Sequence, residues 1–281
     1  MNTITENRKM DFNSSCPSLV IVELTNLCNK NCWMCGRRRV ERDYPEIAAK
    51  KGEMNFNLVE RIAKQLPDNI IVQLHNNGEP LMYSRFGEAV KVFKGKITNI
   101  VTNGKWLIKK FNEIVDNVDT MAISLIERDA EAEEQFETIK EFLELKQKRK
   151  PFTILKAHGE IDLKKYLDFK LSITGRYIHD PMGNFGYKIM PALPDTAICT
   201  DFMTRLTISF DGKVSACSNF DPKGLAIIGD ANYEALYDIW NSDKRKEWLK
   251  YHVLGERNKI PLCSTCQFWG VPNSRPIIKN D

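Results

Sequence analysis

No stretch of the 281-residue chain reaches the ~18 consecutive apolar residues of a membrane-spanning helix, and the mean hydropathy is −0.38. A spanning helix is therefore excluded. The opening residues, MNTITENRKMDFNSS, have no apolar signal core, so the expected compartment is the cytoplasm. Charge of neither sign is in excess: 41 basic against 37 acidic residues leave +4. So small a surplus gives no electrostatic reason to expect nucleic acid. Internal repeats and low-complexity linkers are absent too. The length suits one large domain with a small appendage.

Against these absences stand eight cysteines. In a large chain without an export signal they point to metal binding or catalysis rather than to a disulfide frame. Around them the sequence alternates short apolar runs with amphipathic stretches. The runs are Leu19–Leu24, Ile70–His75, Ile97–Thr102, Val118–Leu125, Phe152–Ala157 and Leu171–Thr174. Helical patterning falls on 57–66, 84–93 and 131–150, the last beginning acidic and ending basic as a helix dipole favours. Strand–helix units at crossover spacing make an α/β fold with a parallel sheet, open or curled into part of a barrel. Past about residue 180 the texture becomes Pro- and Gly-rich. Asp211-Gly212 reads there as a hairpin turn, and 233–251 as a helix. The expected division is an N-terminal extension (1–17), the α/β body (18–180), a Cys-rich domain (181–270) and an extended tail (271–281).

The first cysteine group is Cys28, Cys32 and Cys35, spaced C-x3-C-x2-C after the strand LVIVELT. Three thiolates on one tight loop suit a [4Fe–4S] cluster with one iron left open, or a zinc that borrows a fourth ligand. The second group, Cys199, Cys217, Cys263 and Cys266, offers four thiolates and a closed site. On spacing alone, structural zinc and [4Fe–4S] are equal candidates for it. Cys16 is left over. It precedes the first strand and reads as a plain thiol.

The first loop resembles that of the radical S-adenosylmethionine (SAM) superfamily. The resemblance implies a partial (β/α)6 TIM-type barrel, with SAM held on the open iron of Cys28, Cys32 and Cys35. One electron from that cluster then splits SAM to methionine and a 5′-deoxyadenosyl radical. Downstream, Asn76-Asn77-Gly78-Glu79-Pro80 is similar to the family's Gly-Gly-Glu segment, with Asn77 in place of the first glycine. That similarity puts Gly78 and Glu79 at the SAM amino group. Thr102-Asn103-Gly104 resembles the family's third-strand end, which adds Asn103. Ser124 stands where a ribose-contacting polar residue is common. The adenine-side position, often aromatic, is Met34 here, with Trp33 beside it. Singly, each of these is equally a turn glycine or a core hydroxyl. Their order at successive strand ends carries the reading, because parallel α/β folds bind ligands at that edge.

The segment LTISFDGKVSACSNF, followed by IIGDANYEALYDIW and CSTC, resembles the C-terminal auxiliary-cluster extension of the same superfamily, the SPASM domain. With ligands for one cluster, the chain resembles its shortened "twitch" form, which implies a second [4Fe–4S] cluster. The aminocyclitol dehydrogenases of the superfamily have this layout. The implied reaction is oxidation of a hydroxyl on a sugar or aminocyclitol, with the auxiliary cluster taking an electron. The partners expected are a small carbohydrate-like substrate and an external one-electron reductant such as flavodoxin or ferredoxin. Epimerisation and peptide (RiPP) maturation are the alternatives within the superfamily, and a non-catalytic metal-binding or electron-transfer protein the alternative outside it. For the catalytic base the candidates are His75, which ends the second strand, and Arg176, at the handover to the Cys-rich domain with His179 and Asp180. Met182 competes with Arg176 for the position of a catalytic arginine. Arg37-Arg38-Arg39 reads as a phosphate site or as a solvated helix face.

Overall fold

In the computed structural model, which describes residues 10, 16–176, 198–218, 221–266 and 274–278, six parallel strands follow the chain in order. They are β1 (Leu19–Val22), β2 (Ile71–Gln73), β3 (Ile97–Thr102), β4 (Thr120–Ile126), β5 (Phe152–His158) and β6 (Ile173–Arg176). Each lies on one of the expected apolar runs. Between β1 and β2 come α1 (Gly36–Asp43), α2 (Pro45–Ala48) and α3 (Phe56–Gln65); α4 (Phe86–Val92), α5 (Phe111–Ile114) and α6 (Ala132–Lys146) fill the next three crossovers. The last crossover holds only a 3-10 turn, Lys164–Phe169. Local chemistry explains the longer helices. Asn55 caps α3 by accepting the Asn57 N–H at 2.9 Å, and α3 buries Leu58, Val59, Ile62 and Ala63 on one face. In α6, Glu133 and Glu134 occupy the first turn and Lys146 the last.

The Cys-rich part continues the same sheet. After α7 (Thr200–Thr204), β7 (Arg205–Ile208) pairs parallel with β1, Leu19 opposite Arg205. β8 (Lys213–Ser215) and β9 (Ile227–Asp230) follow antiparallel. The β7–β8 turn needs Gly212: its φ is +89°, and a Cβ there would lie 2.2 Å from Asn232 Nδ2. Expected as one helix, 233–251 is two, α8 (Leu236–Trp240) and α9 (Asp243–Val253). The break comes at Ser242, whose side chain accepts the Arg245 N–H and starts a new helix instead of extending the old one. The tail forms β10 (Ser274–Ile278), antiparallel to β6. The described strands thus run β10-β6-β5-β4-β3-β2-β1-β7-β8-β9. The expected boundary near residue 180, with His179, Asp180 and Met182, lies outside the described residues.

A C-terminal part this small was expected to need a staple. The structure gives it shared packing as well. Leu206, Ile208, Val214, Leu236, Ile239 and Trp240 join one hydrophobic cluster with the barrel residues. Gln65 Oε1 accepts the Leu236 N–H at 2.8 Å, and Arg61 donates to the Asn232 carbonyl at 2.6 Å.

Strand alternation sorts the two faces of the sheet. Val20, Val22, Val72, Leu74, Ile100, Met121, Ile123, Leu125, Leu155 and Ala157 turn outward into the helix layer. The opposite parity, Glu23, His75, Ser124, Lys156, His158 and Arg176, turns into the lumen. Barrel interiors are ordinarily filled with branched apolar residues. Here the lumen is polar toward the C-terminal strand ends, where a ligand site belongs.

Candidate active site between two cysteine loops

Cys28, Cys32 and Cys35 lie just beyond the C-terminal end of β1, with Cys35 as the N-cap of α1. The positive end of that helix dipole faces the thiols. Burial and the neighbouring sulfurs push the Cys32 thiol up to about 12, and burial also raises Cys28. Binding a metal there must therefore displace protons from Cys28 and Cys32.

The loop is docked onto the ends of β2 and β3. A Cβ on Gly78 would lie 2.2 Å from the Thr25 carbonyl oxygen and 2.7 Å from that of Leu27, so only glycine allows the approach. The Glu79 N–H donates to the Leu27 carbonyl at 2.7 Å. Glu79 itself is buried. It accepts from Thr102 Oγ1 at 2.7 Å, the Asn103 N–H at 2.8 Å and the Leu81 N–H at 3.2 Å. Burial, opposed by those donors, pushes its carboxyl up to about 7. A carboxylate has about four acceptor sites; three are taken within the protein, and one is left for an ammonium. The Asn103 amide donates to Asn29 Oδ1 at 2.8 Å and lies 3.8 Å from Cys28 Sγ. Glu79 and Asn103, expected as SAM contacts, thus fasten the cysteine loop to two strand ends. Gln135 Nε2 adds a third tie, donating to the carbonyls of Asn103 at 2.6 Å and Ser124 at 2.9 Å. Met34 is half-buried beside Trp33, whose indole donates to the Glu127 carbonyl at 2.7 Å.

Several of the residues that build the site were not legible in the sequence. Lys30, inside the cysteine loop, is buried in an ion pair with Asp129 at the end of β4. Glu23 follows β1 and accepts the Asn77 N–H at 2.9 Å and the Phe210 N–H at 3.2 Å, which joins β1, β2 and β7. Lys156 faces the lumen from β5, in register with Ser124 and Thr174. A cavity of about 440 Å³ opens at the rim beside these strand ends. Glu23, Asn77, Phe210, Arg37, Lys50 and Lys223 are among the residues lining it. That volume is in the range of small-molecule pockets.

His75 takes a structural task. Its Nδ1 accepts the Val101 N–H at 3.0 Å, and burial beside Lys156 and Arg176 lowers the ring to about 3. The Val101 N–H occupies Nδ1, which leaves Nε2 as the ring nitrogen without a backbone partner among the described contacts. Arg176 is in the lumen, under the influence of Asp201 and Arg205. Arg37 and Arg38 pair with Glu41 at 3.7 and 2.8 Å, and Arg39 with Asp43 at 2.9 Å. The run is ion-paired along its own helix, and Arg37, only 13% exposed, also lines the cavity.

The second group assembles at the other end. Cys199 caps α7 ahead of β7, Cys217 follows β8, and Cys263 and Cys266 bracket a 3-10 turn, Cys263–Thr265. Burial, then Cys266 and Cys199, push the Cys263 thiol up to about 12. Ser218 Oγ donates to Asp201 at 2.8 Å and so ties the loop after β8 to α7. β7 runs parallel to β1, and β8 returns antiparallel. The second group therefore sits near the N-terminal end of the sheet, the first near its C-terminal end, with the lumen between them.

All eight cysteines are described, and no two form a disulfide. Among the described residues no three His, Cys, Asp or Glu side chains converge as a single metal ion would require. The donors of both groups are all sulfur, the set that iron–sulfur clusters take. Asn29 Nδ2, buried in the first loop without a hydrogen-bond partner, is a further donor for a group bound there. Both sites fit iron–sulfur clusters.

Comparison with known proteins agrees. The family model for the SPASM iron–sulfur cluster-binding domain matches residues 199–267, a span that contains all four cysteines of the second group. The chain is 23% identical over 265 residues to the S-adenosyl-L-methionine-dependent 2-deoxy-scyllo-inosamine dehydrogenase of Niallia circulans, covering 89% of this chain and 92% of that protein. The crystal structure of BtrN in complex with AdoMet and 2-DOIA superposes with a TM-score of 0.59 at 19% identity, over 89% of this chain and 93% of that one. Streptococcus suis SuiB bound to precursor peptide SuiA gives a TM-score of 0.60 at 16% identity, over 92% and 71%. No helix among the described residues is long and apolar enough to cross a membrane.

Proposed function

We propose that this chain, a radical SAM enzyme with a C-terminal SPASM domain, two [4Fe–4S] clusters and SAM as its cofactors, oxidises a hydroxyl of a small polar substrate such as a sugar or aminocyclitol. The observation that carries the reading is the placement of two thiolate sets at opposite ends of one sheet with a polar lumen between them. When bound, SAM and the first cluster would supply a 5′-deoxyadenosyl radical to remove the carbinol hydrogen; the hydroxyl proton would pass to a base in the lumen, and the second cluster would take the remaining electron as the carbonyl forms. The chain's own residues hold the parts in place. Cys28, Cys32 and Cys35 are the ligands of the first cluster; Cys199, Cys217, Cys263 and Cys266 are those of the second. Gly78, Glu79, Asn103, Ser124 and Met34 shape the SAM pocket, in part by fixing the loop. His75 and Arg176, both facing the lumen, are the candidates for the base.

A one-electron donor such as flavodoxin or ferredoxin starts the cycle, and a reducing cytoplasm keeps the seven thiols available as ligands. Peptide modification is the second reading, favoured by the TM-score to the peptide-bound SuiB. The match to the dehydrogenase covers nearly all of both chains, which supports the small-molecule reading.

The test is an anaerobic assay of candidate sugars and cyclitols deuterated at the carbinol carbon. One carbonyl product should form per 5′-deoxyadenosine, with the deuterium transferred to it. Cys263→Ser should keep SAM cleavage and lose the carbonyl product. A product at the substrate's original oxidation state would replace oxidation by epimerisation.

A further inference from the structure

The last long helix of the Cys-rich part buries a polar face. On α9, Arg245, Trp248 and His252 recur at i, i+3 and i+7, and all three are buried. Two backbone carbonyls account for Arg245. It donates to Phe202 at 3.1 Å and to Trp240 at 3.2 Å, which fastens α9 to α7. His252 is only 2% exposed, and its ring packs on that of Phe202 with centroids 4.9 Å apart. A hydrocarbon ring would fill that space without the cost of desolvating two nitrogens. The nitrogens therefore need a reason. Nε2 lies 3.8 Å from Sγ of Cys263, its one polar contact among the described residues. Arg257 donates to the Cys266 carbonyl at 2.8 Å, so the loop carrying both cysteines is held beside the ring.

Bound to iron, Cys263 is a thiolate with lone pairs and no proton. A bare nitrogen lone pair would face it in repulsion, so Nε2 carries the hydrogen. We propose that His252 Nε2–H donates to Cys263 Sγ and thereby raises the reduction potential of the second cluster. Reduction adds one negative charge, part of which falls on the ligand sulfurs. A donor aimed at such a sulfur stabilises the reduced form more than the oxidised one, and burial strengthens the effect. Four sulfurs already supply one ligand to each iron of a [4Fe–4S] cluster, so the ring is not needed as a ligand. His252 acts through a cluster ligand and not on substrate, which makes it a positioning residue. The inference rests on the reading of Cys199, Cys217, Cys263 and Cys266 as cluster ligands. It deepens that reading by giving the electron acceptor a reason to accept.

The test is a potentiometric titration of the anaerobically reconstituted full-length protein, followed by EPR of the second cluster. His252→Phe keeps a ring against Phe202 and removes the N–H. It should make reduction of the second cluster about tenfold less favourable, a fall of about 59 mV for one electron. His252→Gln, which keeps an N–H, should recover part of the loss. The potential of the first cluster and the affinity for SAM should stay unchanged in both variants. A second-cluster potential that is unmoved or higher in His252→Phe would overturn the proposal.

A measurement on the unsubstituted chain decides the case if His252→Phe fails to hold its cluster. With nitrogen-15 in histidine alone, the reduced second cluster should show one weak nitrogen coupling, carried through the hydrogen bond. No coupling would overturn the proposal, and so would a strong one, which would make His252 a ligand. Zinc in the second site would overturn the cluster reading and this inference together. A second cluster indifferent to His252 would sink this inference alone, and a shifted potential in a protein that forms no carbonyl product would sink the oxidation reading alone.

Discussion

Gly78→Ala is expected to remove the first cluster, dropping iron from about eight to about four per chain, while the sheet stays folded and the second cluster stays in place. The added methyl would meet the Thr25 and Leu27 carbonyl oxygens at 2.2 and 2.7 Å, distances that no side-chain rotation relieves because both atoms are backbone. Overpacking of this kind typically costs about 1–3 kcal/mol, and here the displacement falls on the three residues that lead into Cys28. The Glu79 N–H to Leu27 hydrogen bond is lost with it. Iron analysis with visible and EPR spectra of the reduced protein reads the outcome. An alanine variant with both clusters and unchanged SAM cleavage would show that the close approach is dispensable.

Lys30→Met should be nearly as damaging, by a different route. Lys30 and Asp129 are both almost fully buried, and they join the cysteine loop to the end of β4. Removing the lysine strands a buried carboxylate, a change that costs about 3–5 kcal/mol in such pairs. Glu131, 3.7 Å from the ammonium, is a second carboxylate and cannot replace the lysine as the partner of Asp129. The expected result is faster amide exchange over residues 28–35 and 127–131 and poor retention of the first cluster. Adding Asp129→Asn keeps the acceptor that caps the Glu131 N–H and removes the charge. The double variant should therefore recover most of the protection. If the single variant exchanges like wild type, the ion pair does not hold the loop.

The elements legible in the sequence were those written in short-range pattern. All six barrel strands fall on apolar runs, because a strand buried against helices must present hydrophobic residues on that face whatever its neighbours are. The Asp211-Gly212 turn was legible for the same local reason, a backbone angle that only glycine takes without strain. Both cysteine groups were visible through ligand spacing. What the sequence hides is set by the curl of the sheet. Nothing around Lys156 in ILKAH says that the charge of Arg205, nearly fifty residues on, acts on it; the sheet reaches Arg205 by pairing β7 with β1 and curls to bring that charge into range. Glu79 shows the same limit from the other side. Its carboxylate invited a ligand ammonium, yet the fold first uses it to join Thr102 and Asn103 to the loop below. The break at Ser242 is local but subtle, since a serine among good helix formers reads as surface polarity until its side chain is seen to cap the next helix.

Two clusters bracketing one polar lumen is the claim from which the rest follows, and iron and sulfide per chain after anaerobic reconstitution test it most directly. Wild type should hold about eight irons, and the Cys28/Cys32/Cys35→Ala variant about four, with the spectrum of the second cluster intact. About four irons in wild type falling to none in the variant, with zinc retained, would make the second site structural and contradict the account.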